Sequence, residues 1–444
     1  MPFQTGMPNE HDLLAFPYPG DGRGSPDAAF KSRHSPHPTC ACQSDSPCSR
    51  AAAASAATIR IPAKRQEATP ASKVLIGGPG QIIVADFDGT SFDLKAKNSL
   101  PGTSPSWMAF KEPNTIYAVD ENGKDLRIFK YNAARNEIKL DKSAAGSAGV
   151  VHLEFSTDQT RLVAGSYVDG KIDIWDIANS TLRLLKSVTS DGELGPNKAR
   201  QDQPRVHQVV RDPSGRYFAA NDLGTDTVLL LDSAADSYDI ATRVRVKNAG
   251  CGPRHGVFVP SADGTRATHY VLVCELLNRL EVFEVTYADD GIQFAEVQSL
   301  STFGNTPHNA TSALAGAIAI SDNGKDIYVS NRLTGTAPAP DSIAHFRVAA
   351  PEGSACGSGD KVGSNNAVLE FAGLVSSAGG VPRMFSLSTD GGLLFSTNQN
   401  SGLGLLALER NKATGELTEK PVASVDVANF GEAGFGPQFV QQIA

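Results

Sequence analysis

The stretch GPRHGVF, Gly252 to Phe258, sets an arginine and a histidine at the mouth of a short apolar run bounded by turn residues. A run of that length reads as a buried strand, because a helix needs about ten or more periodic residues. The same local pattern returns along the chain with other residues in the Arg-His slots. It appears as WMAF at Trp107, VVHLEF at Val150, VHQVVRDPSG at Val206, AIAISDNG at Ala317 and RMFSLSTDG at Arg383. Behind each run comes a turn and a second strand such as IYAV, RLVAGSY or IYVSNR, then an amphipathic third strand such as LRIFKY, KIDIWDI or IAHFRV. These six units, with partial strands at Val74 to Phe87 and a C-terminal GPQFVQQ, make seven at about 53 residues each. The expected fold is all-β, a seven-bladed β-propeller over residues 73–444, with an N-terminal strand completing the last blade so that no sheet edge stays open. Insertions are expected at Asp191 to Gln203, Thr334 to Asp341 and Pro351 to Asn366.

In such a ring the first strand of each blade lines the central channel, so repeat-equivalent residues become neighbours. Aligned on their first strands, the units place Trp107, His152, His207, His255, Ala317, Met384 and Phe439 in one slot. The slot before it holds Ser106, Val151, Val206, Arg254, Gly316, Arg383 and Gln438. The ends of the second strands add Asp120, Tyr167, Asp222, Glu275, Arg332 and Gln399. Three histidines, three arginines and several carboxylates are therefore expected at one mouth. Asp120, Tyr167 and Asp222 read as struts, since Asp and Tyr tie blades together and Asp222 sits in an NDLG turn.

Composition narrows the function. A net charge of −8 argues against nucleic acid and acidic membrane as partners, and no apolar run approaches a membrane span. Residues 1–72, rich in Pro, Ser, Ala and Gly, read as a disordered tail. No secretory signal is visible at Met1, which favours a cytoplasmic protein; AAAASAAT at Ala51 would suit secretion if the true start lay within the tail. Cys40, Cys42 and Cys48 make a weak metal pattern, and Cys251, Cys274 and Cys356 read as reduced thiols. Sequons at Asn179 and Asn309 would count only in a secreted chain. The WD pair at Trp175 and Asp176 occurs once, too little for a WD-repeat array.

Arginine's planar fork grips carboxylate or phosphate, so an arginine-rich pocket selects a small anion. Histidine beside a carboxylate handles protons near neutral pH. An oxygen-ligand cation site at Asp222 and Glu275 is disfavoured by the arginines around it. The sequence contains no nucleophile elbow, no HExxH, no phosphate-cradling glycine loop and no dinucleotide fingerprint.

The chain resembles the lactonase family of seven-bladed β-propellers, which includes 6-phosphogluconolactonases and fungal carboxy-cis,cis-muconate cyclases. The likeness rests on GPRHGVF, CEL at Cys274, ISDNGKDIYVSNR at Ile320, PRMFSLSTDG at Pro382 and the terminal GPQFV. It implies that His207, Arg254, Glu275 and Arg332 act together on a lactone or its open acid without a metal or other cofactor, and that His152, His255 and Arg383 shape the substrate pocket. One departure is Ala317, where relatives carry an acidic residue. Three readings follow: hydrolysis of an anionic sugar lactone by a monomer, lactonising cycloisomerisation of a carboxylated muconate, or a non-catalytic propeller that binds an anionic ligand or a protein.

Overall fold

The computed structural model describes residues 71–444 except 290, 335–339, 350–367 and 431–434. The tail, Cys40, Cys42, Cys48, Cys356 and most of the last two expected insertions therefore lie outside the described residues.

Seven antiparallel sheets form the blades of a propeller. Blades 2 to 6 take their four strands consecutively, as in blade 5: Pro253–Pro260, Ala267–Cys274, Arg279–Ala288 and Gly291–Ser301. Blade 7 adds a short fifth strand, Gly379–Gly380. The closure is the expected one, with N-terminal strands completing the blade whose first strand is C-terminal. The C-terminal strand Phe439–Gln442 becomes the innermost strand of blade 1, pairing with Ser72–Gly78, and Gln81–Phe87 and Phe92–Ser99 follow outward. The physical reason is that a strand from one terminus covers the edge left by the other.

Alternation sets the packing. Residues two apart on a strand share a face, and here both faces of each sheet are covered by neighbouring blades. Leu229 and Leu231 turn with Val163 and Ile174 into one core, while Val228 and Leu230 turn with Tyr270 and Phe283 into the next. Each such buried aliphatic side chain is worth about 1.5–3 kcal/mol relative to exposure. Trp175 is one of these core residues, and Asp176 pairs with Arg161 and Arg183, so the WD pair serves packing.

Two features position the site. In blades 3 to 6 the pairing of first and second strand slips by one residue at the channel mouth, between Val150 and His152, Val206 and Gln208, Pro253 and Gly256, and Ala315 and Ile318. Such bulges re-aim side chains, and here they lie at the residues of the two slots. The second feature corrects the cysteine reading: Cys251 and Cys274 form a disulfide, with Cα atoms 4.5 Å apart. Their separation of 23 residues has no signature as a motif; hairpin geometry alone brings them face to face.

Candidate active site

Glu275 is the centre of the site. It follows the second strand of blade 5 directly and is wholly buried, as are Arg254 at 1% exposure and Arg332 at 4%. Arg254 Nε lies 2.8 Å and Arg332 Nη2 3.1 Å from Glu275 Oε2. Burial alone would raise the Glu275 pKa, but Arg200, Arg332 and Arg254 together outweigh it and hold the carboxyl at about 2. Three guanidiniums thus face one carboxylate.

Arg200 is the residue that sequence reasoning missed. It donates to Glu275 Oε1 at 2.6 Å from the loop that links blades 3 and 4, inside the insertion expected at Asp191 to Gln203. Repeat alignment cannot register an insertion. Its neighbour Gln201 anchors the loop, donating to Leu223 O at 2.8 Å and to Asp226 at 2.6 Å. Asp226 in turn accepts from the backbone N–H of Gly250 and Gly252, so one buried carboxylate ties the Arg200 loop to the turn before Arg254.

The histidines converge as expected. The His207 ring lies 5.1 Å from that of His255, which lies 5.8 Å from His152, and Trp107 rests 4.0 Å from His152. Phe439, in the same slot of blade 1, meets Trp107 at 5.5 Å. Burial, reinforced by Arg254, pushes the His152 pKa down to about 3 and that of His255 well below its ordinary value. Both rings are neutral at pH 7. They form a floor rather than a proton relay.

His207, Arg254, His255 and Arg383 line one cavity of about 10 Å³ with Ser106, Trp107, Met384 and Gln438. That is room for about one water. Glu275 and Arg332 stand behind Arg254 as its support, and His152 reaches the cavity through its ring neighbours. Arg383 pairs with Glu121 at 2.7 Å. Gln208, next to His207, accepts from Gly256 N at 2.6 Å and from Asn221 Nδ2 at 2.9 Å, which fixes blade 4 against the GPRHG segment. A larger cavity of about 630 Å³ opens beside Pro113 and Lys130, at the other end of the blade 2 strands, and contains none of these residues.

The strut readings divide. Asp120 accepts from Ser104 N and pairs with Arg127, and Asp222 accepts from Arg205 N and Gly224 N, so both are structural. Tyr167 belongs to the site wall instead. Its ring meets His207 at 5.5 Å, carries the Arg205 guanidinium at 4.8 Å, and its hydroxyl lies 3.4 Å from Arg200. Ala317 packs with Tyr328, Ile343 and Phe385 and is absent from the cavity lining. Its neighbour Gly316 leaves the space Arg332 crosses, since a Cβ there would sit 3.1 Å from Arg332 Nε. Among the described residues no cluster of three or more His, Cys, Asp or Glu is placed to hold a metal.

A closed ring of antiparallel blades with a cavity lined by Arg254, Arg383, His207 and His255 defines a seven-bladed propeller with a polar pocket among its first strands. The chain belongs to the family described as lactonase, 7-bladed beta-propeller, whose model matches residues 69–429. A protein of the fungus Arthroderma benhamiae named "Probable 6-phosphogluconolactonase" is 30% identical over 274 residues, 60% of this chain and 68% of that protein. An uncharacterised protein of Staphylococcus aureus is 25% identical over 75% of this chain and 87% of its own length. Among solved structures, a periplasmic gluconolactonase of Pseudomonas aeruginosa superposes with a TM-score of 0.66 at 21% identity, covering 84% of this chain and 99% of that one. A Lactobacillus plantarum protein gives 0.68 at 20% identity, over 84% and 100%.

Proposed function

We infer that the chain hydrolyses an anionic sugar lactone of the 6-phosphogluconolactone type. The observation that carries this reading is the convergence of Arg200, Arg254 and Arg332 on buried Glu275, beside a cavity that holds His207. Buried charge of one sign favours a ligand of the other. Glu275, ionised and buried among arginines, anchors the guanidiniums and takes no proton in turnover. His207 is the proton-handling group: it accepts a proton from the attacking water and returns it to the ring oxygen as the lactone C–O bond breaks. Arg254 faces the oxyanion that develops on the carbonyl, with Arg332 in support, and Arg383 and Arg200 receive the substrate's anionic group. Arg383 and Arg200 must then exchange Glu121 and Glu275 for the substrate, because a sugar lactone is larger than the closed cavity. His152 and His255 supply a neutral wall.

The family also suggests cycloisomerisation of a carboxylated muconate, with the same arginines clamping carboxylates, and a non-catalytic anion binder remains the reading from a different class. The purified protein separates the three when offered 6-phosphogluconolactone and 3-carboxy-cis,cis-muconate. Turnover of the lactone, lost by about 10²-fold or more in His207→Ala and Arg254→Ala, is the expected result. Turnover of the muconate alone selects the second reading. No turnover of either rejects both enzymes. The buried Cys251–Cys274 bond favours an oxidising compartment over the cytoplasm, and the substrate's small size asks for no second subunit.

A further inference from the structure

We propose that the Cys251–Cys274 disulfide is a positioning element of the site, fixing the backbone that carries Arg254 against the backbone that carries Glu275. The inference rests on the role just given to those two residues. Cys251 stands three residues before Arg254 and Cys274 directly before Glu275, and both are fully buried. Around the bond the chain segments are held closely: Glu275 N donates to Gly252 O at 2.9 Å and Leu276 N to Cys251 O at 3.0 Å. Arg254 itself lies where the ladder is broken, in the bulge between Pro253 and Gly256. A bulge frees a side chain to be aimed but removes the backbone pairing that would hold it. The covalent bond sits next to that gap.

The repeat shows what the slot is for. The residue before the last position of the second-strand series is Asn331 in blade 6 and Asn398 in blade 7. Asn331 Nδ2 donates to Thr302 O at 3.1 Å, and Asn398 Nδ2 donates to Ser377 O at 2.7 Å. Both acceptors lie in the segment that leads into the same blade's first strand. Cys274 occupies this slot in blade 5, and Cys251 lies in the corresponding leading segment. Where blades 6 and 7 reach that segment by a side-chain hydrogen bond, and Asn221 of blade 4 turns instead to Gln208, blade 5 uses a covalent link, and blade 5 is the blade that supplies both Arg254 and Glu275. Among the described residues this is the single disulfide.

Steady-state kinetics on 6-phosphogluconolactone test the idea, comparing the oxidised protein with the Cys251→Ser/Cys274→Ser double variant and with protein reduced by dithiothreitol until two further thiols titrate. In that reduction the S–S bond takes up two electrons and two protons to give two thiols, and the reductant closes to its cyclic disulfide. The expected result is a kcat lowered by about tenfold to a hundredfold with a smaller change in KM, since misplacing an aligned group weakens the transition state most. Reoxidation should restore kcat in the reduced wild type and leave the double variant unchanged. Equal kcat and KM in all forms, with only a lower melting temperature, would overturn the proposal and leave the bond a staple. If the double variant does not fold, the reduced wild type decides by the same criterion. If even the oxidised protein turns over no lactone, the proposed function has failed, and calorimetric affinity for 6-phosphogluconate takes over. About tenfold weaker binding on reduction then supports positioning; equal affinity, or no binding by either form, rejects it.

Discussion

His152 and His255 carry a consequence for behaviour in acid. Both are buried and held neutral, the first with its pKa pushed to about 3. Their folded pKa values lie below the unfolded one of about 6.5, so below that pH the unfolded chain binds protons that the folded chain refuses. Stability is then lost as the pH falls. Each group contributes a loss of about 2 kcal/mol between pH 6.5 and 5, as long as it stays neutral in the fold. Glu275 behaves differently: its depressed pKa gives stability that is complete above about 4.5 and disappears as the pH falls through about 2. Glu154 acts the other way: burial raises its pKa to about 7, so its protonation in the fold adds stability as the pH falls toward about 4.5. With that group removed as Glu154→Gln, melting temperatures should decline from roughly pH 6.5 downward. A flat profile to about pH 5 would show that the two rings are not held neutral. Changing His152 to Phe should flatten part of that decline, because the floor would keep its ring and lose its proton site.

At the scale of strands, the repeat register predicted the grouping of His152, His207, Arg254 and His255 in space, and the same bulge recurs in the blades that carry them. A shared local irregularity shifts all the units together and so leaves their alignment intact. Arg200 and the disulfide were not legible, for they depend on how an insertion folds back and on which hairpin ends meet. Tyr167 was in the right slot with the wrong role, since only the three-dimensional position of the Arg200 loop turns it from a strut into a wall. Blade 6 offers a test of how much the strand ends control. Gly316 lies inside its bulge, and a Cβ there would meet Ser330 Oγ at 2.4 Å and Arg332 Nε at 3.1 Å. Gly316→Ala should therefore displace Arg332 and lower kcat/KM while costing about 1–3 kcal/mol of stability. A variant with wild-type kcat/KM would mean that Arg332 has no fixed place in catalysis.

The molecule as a whole is a ring held shut by four residues, Phe439–Gln442, which form the inner strand of blade 1. That seven units were present, and that the two ends of the chain share one blade, could be read from the sequence, because Phe439 falls in the first-strand slot of the repeat. Ending the chain at Gln438 would expose the inner edge of Ser72–Gly78 and remove Phe439 from Trp107. The expected product is poorly soluble, protease-sensitive and inactive, because an unpaired edge recruits other strands and the aromatic floor loses a wall. Limited proteolysis of the full and shortened chains, side by side, reads this directly. Equal resistance would show that the ring closes without its latch.

The latch also governs when the site comes into being. A ribosome emits the chain from the N-terminus, so blade 1 waits for Phe439–Gln442, the last of the described strands to emerge. Glu275, Arg254 and the Cys251–Cys274 disulfide belong to a blade whose strands are consecutive, but Trp107 gains its neighbour Phe439 only once that late strand has emerged. The aromatic floor is therefore completed last: a chain stalled or nicked before Phe439 has nearly all of the candidate site residues and an open ring.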